Sequence, residues 1–328
     1  MKVFLTGATG FLGKHIAQEV VKRGHDLTCL VRDNSQVADV RLIPARIVKG
    51  DVKDYNSLVS GLSGQDAVIH AAGVYKFGPA HHQDIHDVNV KGTENVMLAA
   101  VKMKVDKIVY CGSAISLGAA KHADQPLDES SDRQTPFESQ YEKSKSLAQQ
   151  KVANFVRQGA PIVSVLPSHI YGPGDPHGYG SIIRRYLAGD MHVGLKAPYK
   201  ASMVHVQDVA KGVVDALEKG KPGQSYILSG ENVGWEEFLF LLENETGITR
   251  PAVNVGLKFA KLLGYGSDLV SKITKKSGKI SVESVNQLQR NLVFSNDKAQ
   301  LELGWAPRPF KQGFKETVDA FKKELART

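Results

Sequence analysis

Tyr141 and Lys145 stand four residues apart. On a helix that spacing puts both side chains on one face. A phenol of pKa ~10 is a poor proton donor or acceptor at neutral pH. A neighbouring ammonium would stabilise the phenolate and bring the pKa toward the working range. Any surface helix can carry such a pair, so its context decides. Here it follows Ser113, which closes the apolar run Lys107-Ile108-Val109-Tyr110-Cys111-Gly112-Ser113. A hydroxyl at the carboxyl end of a strand stands where open α/β sheets present their ligand groups.

A second set of residues suits an anion. Thr6-Gly7-Ala8-Thr9-Gly10-Phe11-Leu12-Gly13 sits directly behind the apolar run Lys2-Val3-Phe4-Leu5 and ahead of an amphipathic segment with Ile16, Ala17, Val20 and Val21 on one face. A strand, a glycine turn and a helix in that order form a dinucleotide fingerprint. Gly7 permits the tight turn, Gly10 admits the pyrophosphate to the backbone, and Gly13 lets helix and strand approach. The helix N-terminus offers free N–H groups to the phosphates. Gly7, Thr9, Gly10, Phe11, Leu12 and Gly13 are therefore candidate cofactor contacts.

The elements that position these groups follow along the chain. Leu27 to Val31 reads as a second strand, whose end meets the adenosine ribose. Arg32 stands there instead of an acidic residue and favours a 2′-phosphate, hence NADP. Asp33 keeps NAD open. Ile47 to Val52 reads as a third strand, with Asp51 placed for the adenine amine and Val52 for its ring; a plain turn aspartate is the alternative. Ala67 to Gly73 is a fourth strand ending in Ala71, Ala72 and Gly73, small enough for a cofactor to lie against the backbone. Asp87 to Val101 is expected as a helix in which Asn89 makes internal hydrogen bonds, and the Tyr141 helix begins at about Phe137. Ile162 to Leu166 is a sixth strand closing at Pro167, with Pro167 and Ile170 near a nicotinamide.

Composition bounds the rest. The 328 residues are 42% hydrophobic, enough for one large core or two joined domains. No apolar run is long enough to span a membrane, and a strand beginning at residue 2 leaves no room for a signal peptide. Cys29 and Cys111 read as buried free thiols in a reducing cytoplasm. His81, His82 and His86 form a dense histidine cluster, read as surface residues rather than ligands, so no metal is expected. The net charge of +8 with 7% aromatics points to a solvated basic surface or to cofactor phosphates, not to nucleic acid.

Taken together, the motifs resemble the extended short-chain dehydrogenase/reductase family in its NAD(P)-dependent epimerase/dehydratase branch. The resemblance rests on Thr6 to Gly13, Gly50-Asp51, His70 to Gly73, Asn89 to Thr93, Ser113-Ala114, Tyr141 with Lys145, Pro167 to Pro173 and Val204 to Ala210. These run in family order over about two-thirds of the chain. Tyr226 to Asn232 and Lys298 to Trp305 resemble the dihydroflavonol-4-reductase-like subgroup, which includes farnesol dehydrogenase-like and hopanoid-associated epimerase-like proteins. The resemblance implies a Rossmann-type doubly wound parallel sheet with helices on both faces, plus a smaller mixed α/β lid. The expected division is a cofactor domain over 1–166, with 203–230 partly returning to it, and a substrate domain over 167–328. It also implies hydride transfer to or from a small molecule. Tyr141 would exchange the hydroxyl proton, Lys145 would lower its pKa and hold the nicotinamide ribose, and Ser113 would bind the substrate oxygen. In reductases of the subgroup a basic residue past the arginine helps hold the 2′-phosphate; Asp39 replaces it here.

Tyr75, Phe77, Tyr171 and Tyr179 are candidate walls of an apolar substrate pocket, with ordinary loop aromatics as the alternative. Nucleotide-sugar epimerisation or dehydration uses the same three catalytic residues. Against it, Lys200 to His205 lacks the arginine that would hold a diphosphate, leaving Arg184 and Arg185 as substitutes. A cofactor sensor without catalysis is a third reading, opposed by the Tyr–Lys pair. Val255 to Ile273 carries Lys258, Lys261 and Lys272 among apolar residues, interrupted at Gly264-Tyr265-Gly266, and reads as a lid helix before a membrane-surface one. The resemblance allows a homodimer through the Tyr141 helix; packing within the chain is the alternative.

Overall fold

The fold was read from a computed structural model describing residues 1–33, 35, 37–251, 253–274 (backbone only from 269) and 281–326. The chain begins β1 (Lys2–Thr6), α1 (Phe11–Lys22), β2 (Asp26–Val31), α2 (Ala38–Arg41), β3 (Ala45–Lys49), α3 (Tyr55–Gly61) and β4 (Ala67–His70). It continues through α4 (His82–His86), α5 (Thr93–Lys102), β5 (Lys107–Cys111), α6 (Gln140–Arg157) and β6 (Ile162–Pro167). These strands, joined by β10 below, make a seven-stranded parallel sheet in the order β10-β6-β5-β4-β1-β2-β3. The order reverses between β1 and β4. That switch point opens a crevice at the strands' carboxyl ends.

Strands β4 and β6 are buried along their whole length, as a parallel sheet covered on both faces requires. One face is covered by α1 against α8, the other by α3, α5 and α6. Apolar residues at helical spacing account for this: Ile16, Ala17 and Val20 from α1 on one side, Val96, Met97 and Ala100 from α5 on the other.

Past β6 come β7 (His169–Tyr171), α7 (Gly178–Leu187), β8 (Val193–Lys196), β9 (Lys200–His205), α8 (Val206–Lys219), β10 (Ser225–Leu228) and β11 (Asn232–Gly234). The chain ends with α9 (Trp235–Thr246), β12 (Val253–Gly256), α10 (Leu257–Thr274), α11 (Val282–Gln287), α12 (Asp297–Leu303) and α13 (Phe310–Leu325). Strand β10 pairs with β6, whereas β9 lies between β7 and β11 in a three-stranded mixed sheet. A separate aromatic core of Tyr171, Tyr186, Trp235, Phe238, Phe314 and Phe321 holds this smaller layer together.

Several element ends differ from expectation, each for a local reason. The third strand stops at Lys49 because residues 50–54 turn, with Asp54 N–H donating to the Asp51 carbonyl at 2.9 Å. Helix α6, which bears Tyr141, starts at Gln140, since Ser139 Oγ caps it by accepting from Glu142 N–H at 3.1 Å. The helix expected from Asp87 opens as a π-turn over Asp87–Gly92 before α5. Nor does α10 break at Gly264: a Cβ there would sit 2.9 Å from the Val282 nitrogen, so glycine serves close packing on the α11 entry.

One buried ion pair ties the smaller layer to the sheet. Arg308 grips Asp208 through Nε to Oδ2 at 2.9 Å and Nη2 to Oδ1 at 3.0 Å, and its own N–H adds a third bond. The carboxylate is held below its ordinary range by these bonds, against the opposing pull of burial. Removing one partner strands a buried charge, at about 3–5 kcal/mol. Arg308→Ala should therefore lower unfolding free energy by that amount in denaturant titration. The double change Asp208→Leu with Arg308→Met should cost less than the single one.

Candidate active site

The glycine turn is shaped by backbone contacts that leave no room for side chains. Gly7 adopts φ +83°, and a Cβ on it would meet the Ala72 nitrogen at 2.6 Å. A Cβ on Gly13 would lie 1.9 Å from the Gly7 carbonyl oxygen. The first turn of α1 therefore sits on the turn itself. Gly10 caps α1 in extended conformation, with no side-chain cap and no acidic residue in the first turn. Such an N-terminus leaves N–H groups and positive potential for an anion, so the residues present fit a dinucleotide pyrophosphate.

Beneath this turn runs a chain of hydrogen bonds whose direction is determined. Thr93 Oγ1 donates to the Asn89 carbonyl at 2.7 Å, so it must accept from His70 Nε2 at 2.9 Å. His70 Nδ1 is then the bare nitrogen and accepts from Thr6 Oγ1 at 2.7 Å. Thr6 Oγ1 in turn accepts from Ala72 N–H at 3.3 Å. His70 is held neutral, its pKa pushed down to about 3 by burial and secondarily by the charge of Lys145. It sat in a quoted motif, but nothing in sequence spacing assigned it this role.

Ser113 and Tyr141, two of the three expected catalytic residues, are brought together, with the Ser113 hydroxyl within reach of the phenol. Lys145 is 8% exposed and its Nζ reaches the Cys111 carbonyl at 3.4 Å. Asn89, as expected, works internally: it donates to the Val74 carbonyl and to Ser144 Oγ, both at 3.0 Å, and accepts from Val74 N–H at 2.7 Å. One expectation is corrected. Burial raises the Tyr141 phenol to about 12, with only Ser113 pulling it down, while burial lowers the Lys145 ammonium to about 8. In this structure burial sets the phenol's pKa, and the Lys145 ammonium exerts no pull on it.

The aromatic candidates divide. The Tyr75 ring stands edge-on to Tyr141 at 4.9 Å and to Phe77 at 5.1 Å. Tyr179 packs near His169 and against Phe238. Tyr171 does not join them: it is 2% exposed in the lid core, donating to the Phe310 carbonyl at 3.3 Å, so it packs the core instead of walling a pocket. Buried Ser168 Oγ and His169 Nδ1, at the end of β6 beside Pro167 and Ile170, carry no partner among the described residues. These orphaned polar atoms suit a bound carboxamide or substrate oxygen.

At the adenosine end, Arg32 is exposed and forms no ion pair among the described residues. Both nearby carboxylates are occupied: Asp33 by Lys49 at 2.9 Å and Asp39 by Lys14 at 3.8 Å. Asp51 Oδ1 accepts from Lys53 N–H at 2.9 Å, as a turn aspartate does, and Val52 is buried against Gly92. Sequence reasoning also missed Glu142, fully buried beside Tyr141 and clasped by Arg133 and both ends of the Arg290 fork. Glu283 was missed as well; it accepts from Gln140 N–H at the start of α6 and from Gly78 N–H in the Tyr75 loop. Among the described residues no histidine, cysteine or carboxylate cluster could hold a metal.

The profile of the NAD dependent epimerase/dehydratase family matches residues 3–229. A provisionally named dihydroflavonol 4-reductase of Synechocystis sp. is 29% identical, over 97% of this chain and 94% of that one. A Stigmatella aurantiaca ketoreductase named for a 4-hydroxy-2-methyl-3-oxo-4-farnesyl-3,4-dihydroquinoline-1-oxide is 28% identical, over 94% and 92%. The crystal structure of gox2253 superposes with a TM-score of 0.84 at 32% identity, covering 98% of each chain.

The neutral histidines make stability pH-dependent in a stated direction. His70 and His205 sit at about 3 and about 4 when folded, against an ordinary 6.5. Between those values the unfolded chain binds more protons, so stability falls as pH drops from about 6.5 toward 4. Thermal melts across that window should show this decline, and His70→Asn should show a shallower one. An unchanged slope would remove His70 as a contributor.

Proposed function

Because the chain belongs to the NAD dependent epimerase/dehydratase family, we propose that it is an NADP-dependent reductase of an apolar carbonyl compound. At the coarser level it is an NAD(P)-dependent enzyme of the extended short-chain dehydrogenase/reductase type. The observation that carries the finer reading is the aromatic cover beside the phenol, where the Tyr75 ring stands edge-on to Tyr141 and Phe77 packs on Tyr75 in turn. A sugar diphosphate would need cations there. Of the two substitutes considered, Arg185 is exposed and donates to the Asp190 carbonyl at 3.5 Å, whereas Arg184 donates to the Asp175 carbonyl at 2.6 Å and lies over the Phe321 ring at 4.7 Å. It is committed inside the lid.

When bound, the nicotinamide supplies the hydride. Tyr141, protonated at rest, would donate its proton to the substrate oxygen as charge develops there. Ser113 would hold that oxygen by a hydrogen bond and fix its distance from the phenol. Lys145 would hold the ribose and replace part of the phenolate's lost solvation. Gly7, Gly10 and Gly13 with the α1 N-terminus would receive the pyrophosphate. Asp51 and Val52 would meet the adenine, and Ala71 to Gly73, Pro167 and Ile170 would border the nicotinamide half. Arg32 would take the 2′-phosphate, with Asp33 and Asp39 neutralised by their lysines. The buried free thiols Cys29 and Cys111 suit a reducing compartment, in keeping with a cytoplasmic enzyme.

Purified protein mixed with NADPH or NADH and a panel of apolar ketones and aldehydes tests the reading, with UDP- and dTDP-sugars alongside. Substrate-dependent loss of reduced-nicotinamide absorbance, faster with NADPH, is expected. A flat trace with a converted sugar nucleotide would overturn it in favour of epimerisation. Tyr141→Phe should lower kcat about 10²–10⁴-fold while leaving the NADPH Kd unchanged. Arg32→Ala should weaken NADPH binding about 10–100-fold and leave NADH binding unchanged, by fluorescence titration.

A further inference from the structure

Helix α10 is built inside out. Among the described side chains, residues 257–268, the fully packed positions are small, Ala260 at 2% exposed and buried Gly264, set against α11, with Leu257 half-buried at the start. Three large apolar residues point the other way: Phe259, Leu262 and Leu263 are 52%, 65% and 49% exposed. With Gly266 they fall at positions i, i+3, i+4 and i+7, one continuous stripe. Lys258 and Tyr265 are exposed and flank it. An ordinary surface helix buries this stripe; here it faces outward.

Charge selects the occupant. Among the described side chains of α10 the stripe is flanked by the exposed ammonium of Lys258, while Asp268, the one carboxylate there, accepts from the Val282 N–H at 3.1 Å. A second copy of the chain pressed on this face would bring Lys258 toward its own like charge. A surface of negative headgroups over an apolar interior matches both features, since lysine stems lie along the apolar boundary while their ammonium groups reach anionic headgroups.

We propose that the outward face of α10 docks on the surface of an anionic lipid bilayer, with Phe259, Leu262 and Leu263 entering the headgroup boundary. The helix also packs against residues 79–81, directly after the loop carrying Tyr75 and Phe77. Docking would therefore set the aromatic cover of the site beside the bilayer, where apolar molecules concentrate. The docking itself stands on the helix alone and not on the reductase reading.

Co-sedimentation with vesicles separates the outcomes. The full chain should pellet with phosphatidylcholine vesicles containing about one-third phosphatidylglycerol and stay in solution with phosphatidylcholine alone. Raising salt to about 0.5 M should release it. Replacing both residues, Leu262→Ser with Leu263→Ser, should reduce binding about tenfold or more per leucine. Circular dichroism and NADPH affinity should not change in this variant, so a loss of binding cannot be assigned to unfolding. Protein remaining in solution with anionic vesicles at low salt would overturn the proposal. So would binding unaffected by the double change, or a wild-type dimer that the change dissociates. Because binding is read without turnover, failure of the reductase assay would leave this result standing.

Discussion

The architecture depends on one close approach of backbone to backbone. Gly13 on α1 lies against the Gly7 carbonyl, and Gly7 lies against the chain leaving β4 at Ala71 and Ala72. Three segments meet there without a Cβ between them. The meeting point is also where the sheet order reverses, so the tightest packing and the open crevice share one place. A larger residue at Gly7 or Gly13 would push α1 off the sheet, and with it the helix terminus that a pyrophosphate requires. Glycine is a consequence of that geometry; the ligand only makes use of it.

Below the turn, rigidity passes to α6 through polar contacts. The chain Ala72–Thr6–His70–Thr93–Asn89 ties β1, β4 and the π-turn together with each proton assigned. From Asn89 the contact continues to Ser144, one residue before Lys145. The N-terminus of α6 is fastened separately, by Ser139, by Glu283 from α11, and by Glu142 held between Arg133 and Arg290. A fully buried carboxylate with two guanidinium partners adds little net stability in general. Its effect is to fix where the residue beside it, Tyr141, begins its helix.

How much of this could be read in the chain follows from the range of each interaction. The glycine turn, the Tyr–Lys spacing and the apolar strands are local patterns, and the sheet and the placing of Tyr141 and Lys145 on one helix were legible from them. The Glu142–Arg290 pair spans 148 positions, and nothing near either residue announces the other. Tyr171 shows the reverse failure. Its place after a strand end suggested a pocket wall, but Phe310 and His205, both remote in sequence, enclose it in the lid core. α10 misled for a third reason: its glycines look like breaks, whereas Gly264 is the residue that allows close packing.

Burial sets the resting state of the site, and it does so in one direction. Water stabilises charge more than the protein interior does, so enclosing Tyr141 and Lys145 favours the neutral form of each. The phenol rises to about 12 and the ammonium falls to about 8. At neutral pH the lysine still carries its proton, because about 8 lies above neutrality, and the tyrosine keeps its own by a wide margin. At neutral pH Tyr141 is therefore protonated and Lys145 charged. A carbonyl reduction begins from that state, since the developing oxyanion needs a proton donor and a positive charge at once. Alcohol oxidation would begin from a phenolate, which this degree of enclosure opposes.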